Sequence, residues 1–123
     1  MILVDTSVWV GHLRKGDVRL SSALERSVVF MHPFVLGELA CGRMRNRGEV
    51  LQLLRSLPSV PVASEDEALR YIDDLKLMGR GIGYVDVHLL ASTALAGDLT
   101  LWSRDRRLTE VASDLGLAFT RAS

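Results

Sequence analysis

The chain has 123 residues, 48% of them hydrophobic and 24% charged, with a formal net charge of zero. That length suits a single domain over residues 1–123, able to bury roughly two-thirds of the surface its unfolded form exposes, and the composition excludes a disordered chain. No apolar run reaches the roughly 18–20 residues of a membrane span, no basic leader precedes the first apolar run, and the lone Cys41 excludes an internal disulfide, so a cytoplasmic protein without a membrane partner is expected.

Met1 to Val4 is a continuous apolar run that reads as a buried parallel strand, and Asp5 closes it. Ser7 to Lys15 follows with helical spacing and stops at Gly16. Asp17 then caps a second helix whose apolar positions are Val18, Leu20 and Leu24. Val28 to Met31 is a short β-type run, and Pro33 suits the first turn of a helix that carries Glu38. Val50, Leu53, Leu54 and Leu57 mark a helix from Glu49 to Leu57, ended by Pro58. Val60 to Val62 can form only an edge segment, because Pro61 has no ladder donor.

Ser64 and Glu67 form a capping box that opens a helix with Ala68, Tyr71, Ile72 and Leu75 on one face. Gly79, Gly81 and Gly83 make a loop without a Walker or dinucleotide pattern. A long apolar helix runs from Tyr84 to about Ala96 and stops at Gly97. Leu99 to Trp102 is a strand, Leu108 to Leu115 a last helix, and Ala118 to Thr120 a closing strand. Strands alternating with helices imply a doubly wound, three-layer α/β/α fold with a central, mainly parallel sheet.

Four acids stand in apolar surroundings: Asp5 after the first strand, Glu38 between Leu36 and Leu39, Asp86 between Val85 and Val87, and Asp105 after the Leu99–Trp102 run. Taken singly, each has a plain structural reading. Asp5 can be a helix N-cap, Glu38 a buried partner of an arginine, Asp86 a carboxylate at a helix N-terminus, and Asp105 an ordinary cap. Taken together they form an oxygen donor set suited to a hard divalent cation such as Mg²⁺ or Mn²⁺. The basic residues are lopsided, with thirteen Arg against two Lys. Arg43, Arg45 and Arg47 follow Glu38, while Arg104, Arg106 and Arg107 surround Asp105. High-GC coding alone can produce that bias, but Arg43, Arg104 and Arg106 beside the acids, and Arg80 in the loop of Gly79, Gly81 and Gly83, are candidate contacts for a phosphate-bearing substrate. His12, His32 and His88 lack a ligand spacing, and His88 faces away from Asp86 on its helix. Trp9 and Trp102 read as core or interface residues.

Asp5-Thr6-Ser7 after an apolar strand, Glu38 in an apolar helix, Asp86 opening an Ala-rich helix and Ser103-Arg104-Asp105 after a strand resemble a PIN domain. The order and intervals resemble the small VapC-type toxins of bacterial toxin–antitoxin pairs. The resemblance spans essentially the whole chain. It implies metal-dependent endoribonuclease activity with Asp5, Glu38, Asp86 and Asp105 as the catalytic, metal-holding acids. It also implies that Thr6 or Ser7 and Ser103 hydrogen-bond the carboxylates or metal-bound waters, and that products carry a 5′-phosphate. A cognate antitoxin, an RNA substrate such as a structured tRNA or ribosomal loop, and a homodimer are the partners it implies. An antitoxin groove is expected among Val8, Trp9, Leu36, Leu39, Leu53 and Leu54. Two other readings remain: a non-catalytic PIN-like adaptor, and a phosphatase with Asp5 as nucleophile. Ser7 weakens the latter, because it stands where that chemistry wants a second Asp.

Overall fold

The structure is a computed structural model describing residues 1–120. In chain order the elements are β1 (Ile2–Val4), α1 (Thr6–Lys15), α2 (Val18–Glu25), β2 (Val29–Phe30), α3 (Pro33–Cys41), α4 (Arg47–Arg55), α5 (Glu65–Leu75), α6 (Tyr84–Ala96), β3 (Thr100–Trp102) and α7 (Arg106–Asp114). The three strands lie in the order β2-β1-β3 and all pair in parallel, with Ile2 opposite Val29 and Thr100, and Leu3 opposite Phe30 and Leu101. Single parallel bridges extend both edges, Met31 to Ser59 beside β2 and Leu101 to Ala118 beside β3.

Local signals in the sequence account for most element boundaries. Asp17 accepts from the backbone N–H of Arg19 (2.9 Å) and of Leu20 (3.3 Å), which satisfies orphan donors at the start of α2. Pro33 occupies the first turn of α3, where its missing N–H costs nothing. Ser64 and Glu67 form the reciprocal box that opens α5, at 2.8 and 3.0 Å. Gly97 ends α6 with φ 81°, a conformation that a Cβ would strain.

The core follows from the apolar strands and from α6. Leu3 and Val4 are fully buried between β2 and β3, and Val87 through Thr93 of α6 are all buried. A helix that is apolar on nearly every face is stable only when enclosed, which is where the fold places α6. Leu20, Leu89, Leu90 and Leu108 complete the closed interior, each contributing about 1.5–3 kcal/mol by its removal from water. No helix among the described residues is long and apolar enough to cross a membrane.

Several details differ from the sequence expectations. Val18 is 85% exposed, because it is the first residue of α2 and its side chain falls outside the face that carries Leu20 and Ala23. The pairing segment after α4 is centred on Ser59 rather than on residues 60–62, with Met31 N–H donating to the Pro58 carbonyl and Val60 N–H to the Met31 carbonyl. The closing strand reduces to the bridge at Ala118, held by two backbone hydrogen bonds to Leu101. Of the six residues expected to line a groove, Val8, Trp9, Leu39 and Leu54 belong to the core. The chain winds from β1 to β2 and then across to β3, so β1 is the strand where the winding direction reverses. Crevices in open α/β sheets form at the carboxyl end of such a strand.

Candidate active site

That carboxyl end is where Asp5 stands. Its backbone N–H donates to the Trp102 carbonyl (2.9 Å), which locks it to the end of β3 as well. Asp5 occupies the N-cap position of α1, yet its carboxylate caps nothing. Instead, Oδ2 accepts two hydrogen bonds, from Ser7 Oγ and from Ser103 Oγ, both at 2.7 Å. The two hydroxyls are themselves braced, since Arg104 N–H donates to Ser7 Oγ (3.0 Å) and Asp105 N–H to Ser103 Oγ (2.9 Å). The side chain is only 7% exposed, so its charge is held by these donors at a fixed orientation.

Glu38 comes from α3, and its Oε1 accepts from the Thr6 hydroxyl at 2.6 Å. Its neighbours Val35 and Leu39 face the core, whereas Glu38 itself is exposed, because helical periodicity turns it away from them. It is therefore not a buried ion-pair member, despite its apolar sequence surroundings. Asp86 lies in the first turn of α6, half-buried, with Oδ2 accepting from Gly83 N–H at 3.1 Å. Asp105 is exposed and caps α7, its Oδ1 accepting from Leu108 N–H at 3.0 Å. So two of the acids, Asp86 and Asp105, do engage helix N-termini, and the other two answer to hydroxyls alone.

Electrostatics ties the four together. The Asp86 carboxyl is pushed above the ordinary carboxylate range, chiefly by burial and further by the negative charges of Asp5, Asp105 and Glu38, against the opposing pull of the Gly83 N–H. Ion pairs among the described residues join Arg19 to Asp17, Arg80 to Asp114 and Arg106 to Glu110, and none of them neutralises any of these four acids. The donors are all oxygen, the chemistry that Mg²⁺ and Mn²⁺ prefer. Among the described residues no three acidic, His or Cys side chains close tightly enough to enclose an ion, so the acids line an open cleft rather than a finished cage. A hard cation that keeps several waters and takes one or two carboxylates directly is compatible with such a cleft.

The candidate arginines are differently placed. Arg80 is held by Asp114 at 2.7 Å and Arg106 by Glu110 at 3.4 Å, both exposed pairs. Arg43 lines an open groove of about 850 Å³ with Val10, Leu13, Glu38, Met44 and Val50. Arg104 makes no ion pair within the described residues, and its guanidinium lies against Gly11 of α1. Sequence reasoning missed this contact; a glycine inside a helix was the available signal. His32 and His88 are buried. His32 Nδ1 accepts from Phe34 N–H (2.9 Å) and so caps α3, a role seldom filled by histidine and without a sequence signature. Trp9 and Trp102 are buried, in keeping with the core reading.

Residues 2–114 match the PIN domain family. The chain belongs to that family. Over 118 residues it is 48% identical to proteins named Ribonuclease VapC32 from Mycobacterium tuberculosis, strains CDC 1551 / Oshkosh and H37Rv, covering 96% of this chain and 95% of each relative. This PIN domain is therefore of the VapC type. Among solved structures, the crystal structure of PAE2754 from Pyrobaculum aerophilum superposes with a TM-score of 0.64 at 17% identity, over 89% of this chain and 82% of that one. At that identity the likeness shows the fold alone.

Proposed function

We propose that this PIN domain is a divalent-metal-dependent endoribonuclease, acting as the toxin of a type II toxin–antitoxin pair. The observation that carries the proposal is the gathering of Asp5, Glu38 and Asp105 within electrostatic reach of Asp86, with no cation of the described chain paired to any of them. The relatives named as ribonucleases supply the substrate class.

Asp5, Asp86, Asp105 and Glu38 would hold the ion, Mg²⁺ or Mn²⁺. Bound there, a divalent cation supplies Lewis-acid charge and lowers the pKa of water. The chain's own residues set the geometry. Ser7 and Ser103 hold the Asp5 carboxylate in one orientation, and Thr6 does the same for Glu38. Asp86, whose charged form the fold disfavours, gains from a cation beside it. Arg43 and Arg104 are better placed for RNA contacts than Arg80 and Arg106, which an anion would first have to detach from Asp114 and Glu110.

Residues 1–123 are read as one domain working in the cytoplasm as a homodimer. The antitoxin is assigned to the groove lined by Val10, Leu13, Leu39, Met44 and Val50, with Arg14, Arg43 and Arg45 on its rim. Glu38 also lines that groove, so a segment bound there can carry a basic side chain towards the acids and compete with metal.

The test is cleavage of a susceptible RNA by purified protein with Mn²⁺ or Mg²⁺, with chelator, and with Asp5→Asn, Glu38→Gln and Asp86→Asn. Cleavage should require the cation, and each variant should lose most of the rate through kcat. Full activity in chelator, or in all three variants, overturns the proposal.

A further inference from the structure

Gly11 stands in the interior of α1, where glycine is among the poorest helix formers. Its backbone is ordinary helix, so no unusual φ calls for it. What its missing side chain provides is space: a Cβ built there would lie 2.7 Å from Arg104 Nη1. Gly37 and Gly48, also in helices, have open space at the same position. Gly81 meets Arg107 as closely, but its φ of 82° calls for glycine on its own account, so among the helical glycines this approach is particular to Gly11.

The guanidinium seated there is exposed and unpaired within the described residues, although Asp105 follows it directly in the chain. Its backbone is anchored to the acidic centre, since Arg104 N–H donates to Ser7 Oγ, the hydroxyl that donates to Asp5 Oδ2. Ser7 and Gly11 are four residues apart on α1, so they share a face, separated by about 6 Å along the axis. That distance is comparable with the separation of neighbouring phosphates on one strand. A cluster of carboxylates repels a polyanion, and the zero net charge of the chain supplies no overall attraction, so a local cation has to hold the strand. Arg presents a planar fork suited to phosphate.

We propose that Arg104 binds an RNA backbone phosphate next to the one being cleaved, and that Gly11 is the seat that holds its guanidinium away from the acids and towards the strand. The inference rests on the endoribonuclease reading for the identity of the strand. It assigns Arg104 to one particular phosphate and adds the helix position that orients it.

Two readouts separate the inference from that reading. The first is affinity for a short, fluorescently labelled, mixed-sequence single-stranded RNA with Ca²⁺ present, followed against salt concentration; the second is KM and kcat for cleavage with Mn²⁺. Arg104→Ala should weaken binding and raise KM about tenfold, leave kcat within about twofold, and lower the salt slope by about 0.7–1. Arg104→Lys should recover part of the affinity, because a phosphate accepts a point charge.

Gly11→Ala should weaken binding several-fold at unchanged or higher melting temperature, since its methyl displaces only the far end of a flexible side chain. In the Arg104→Ala background it should cost nothing further. Arg26→Ala, exposed ahead of β2 at the opposite edge of the sheet, is the control for loss of one charge and should leave KM and slope unchanged. An unchanged slope and KM in Arg104→Ala, or no RNA binding by the wild type, overturns the proposal. A further loss from Gly11→Ala in the Arg104→Ala background removes Gly11 from it. A wild type that binds RNA but does not cut it defeats the endoribonuclease reading and leaves the binding comparison intact.

Discussion

Ser7→Ala and Ser103→Ala each remove one of the two hydrogen bonds on Asp5 Oδ2, both 2.7 Å long. A hydrogen bond to a charged group contributes about 1.5–3 kcal/mol. Both serines are half-buried, so water replaces part of what is lost, and each single variant should fall near the lower end, about 1.5 kcal/mol. For a chain of this length that is a drop of about 5 °C in melting temperature. Each variant also strips the acceptor from one backbone N–H, that of Arg104 for Ser7 and that of Asp105 for Ser103. Because the two serines serve one oxygen, the double variant should depart from additivity by about 0.5–3 kcal/mol. The functional effect should exceed the structural one: freeing a carboxylate that ligates metal typically costs about 10–100-fold in metal affinity or activity. Thermal unfolding and RNA cleavage are therefore both measured across a Mn²⁺ titration. If either variant reaches half its activity at the wild-type Mn²⁺ concentration and melts within about 1 °C of wild type, the hydroxyls do not orient Asp5, and the reasoning fails.

Asp86→Asn should raise the melting temperature in chelator and blunt its response to Mn²⁺. With the carboxyl pushed up in the fold, its penalty is fully present at neutral pH, fades as pH falls through the raised value, and is gone below the ordinary 3.8; the variant should lose that pH dependence in an unfolding series. In the wild type, free Mn²⁺ at tenfold its dissociation constant should add about 1.4 kcal/mol, and a wild type that metal leaves unmoved would count against the acidic cleft as its site. His32 is fully buried and its pKa is lowered from 6.5 to about 4 by burial and by the neighbouring His88, so its contribution is complete above 6.5 and is lost as pH falls towards 4. That loss amounts to about 3 kcal/mol, and His32→Asn should remove this step from an acid-unfolding curve; an unchanged curve would place the step elsewhere. Val10→Asp should abolish copurification with the cognate antitoxin while leaving RNA cleavage in place; retained copurification would move the partner away from the groove.

The sequence by itself determined the order of elements and much of their bounds, because the signals are local. A four-residue apolar run, Asp17 before a helix, Pro33 at a first turn, the Ser64–Glu67 box and Gly97 at a helix end each act through the nearest turn of backbone. It also singled out the four acids, since carboxylates are rare among apolar neighbours and their intervals matched a family pattern. What it could not supply was which of them are buried. Glu38 has the most apolar context of the four and yet is exposed, because the direction of a side chain depends on which helical face meets the core. Three of the expected groove residues misled for the same reason: Val8, Trp9 and Leu54 spend their apolar surface on the interior, whereas Leu39, though largely buried, also lines the groove. Only the tertiary structure brings Ser103 against Asp5 across 98 positions of chain and lays Arg104 on Gly11. Parallel strand pairing joins segments that are distant in sequence, and no local preference encodes which side chains then meet.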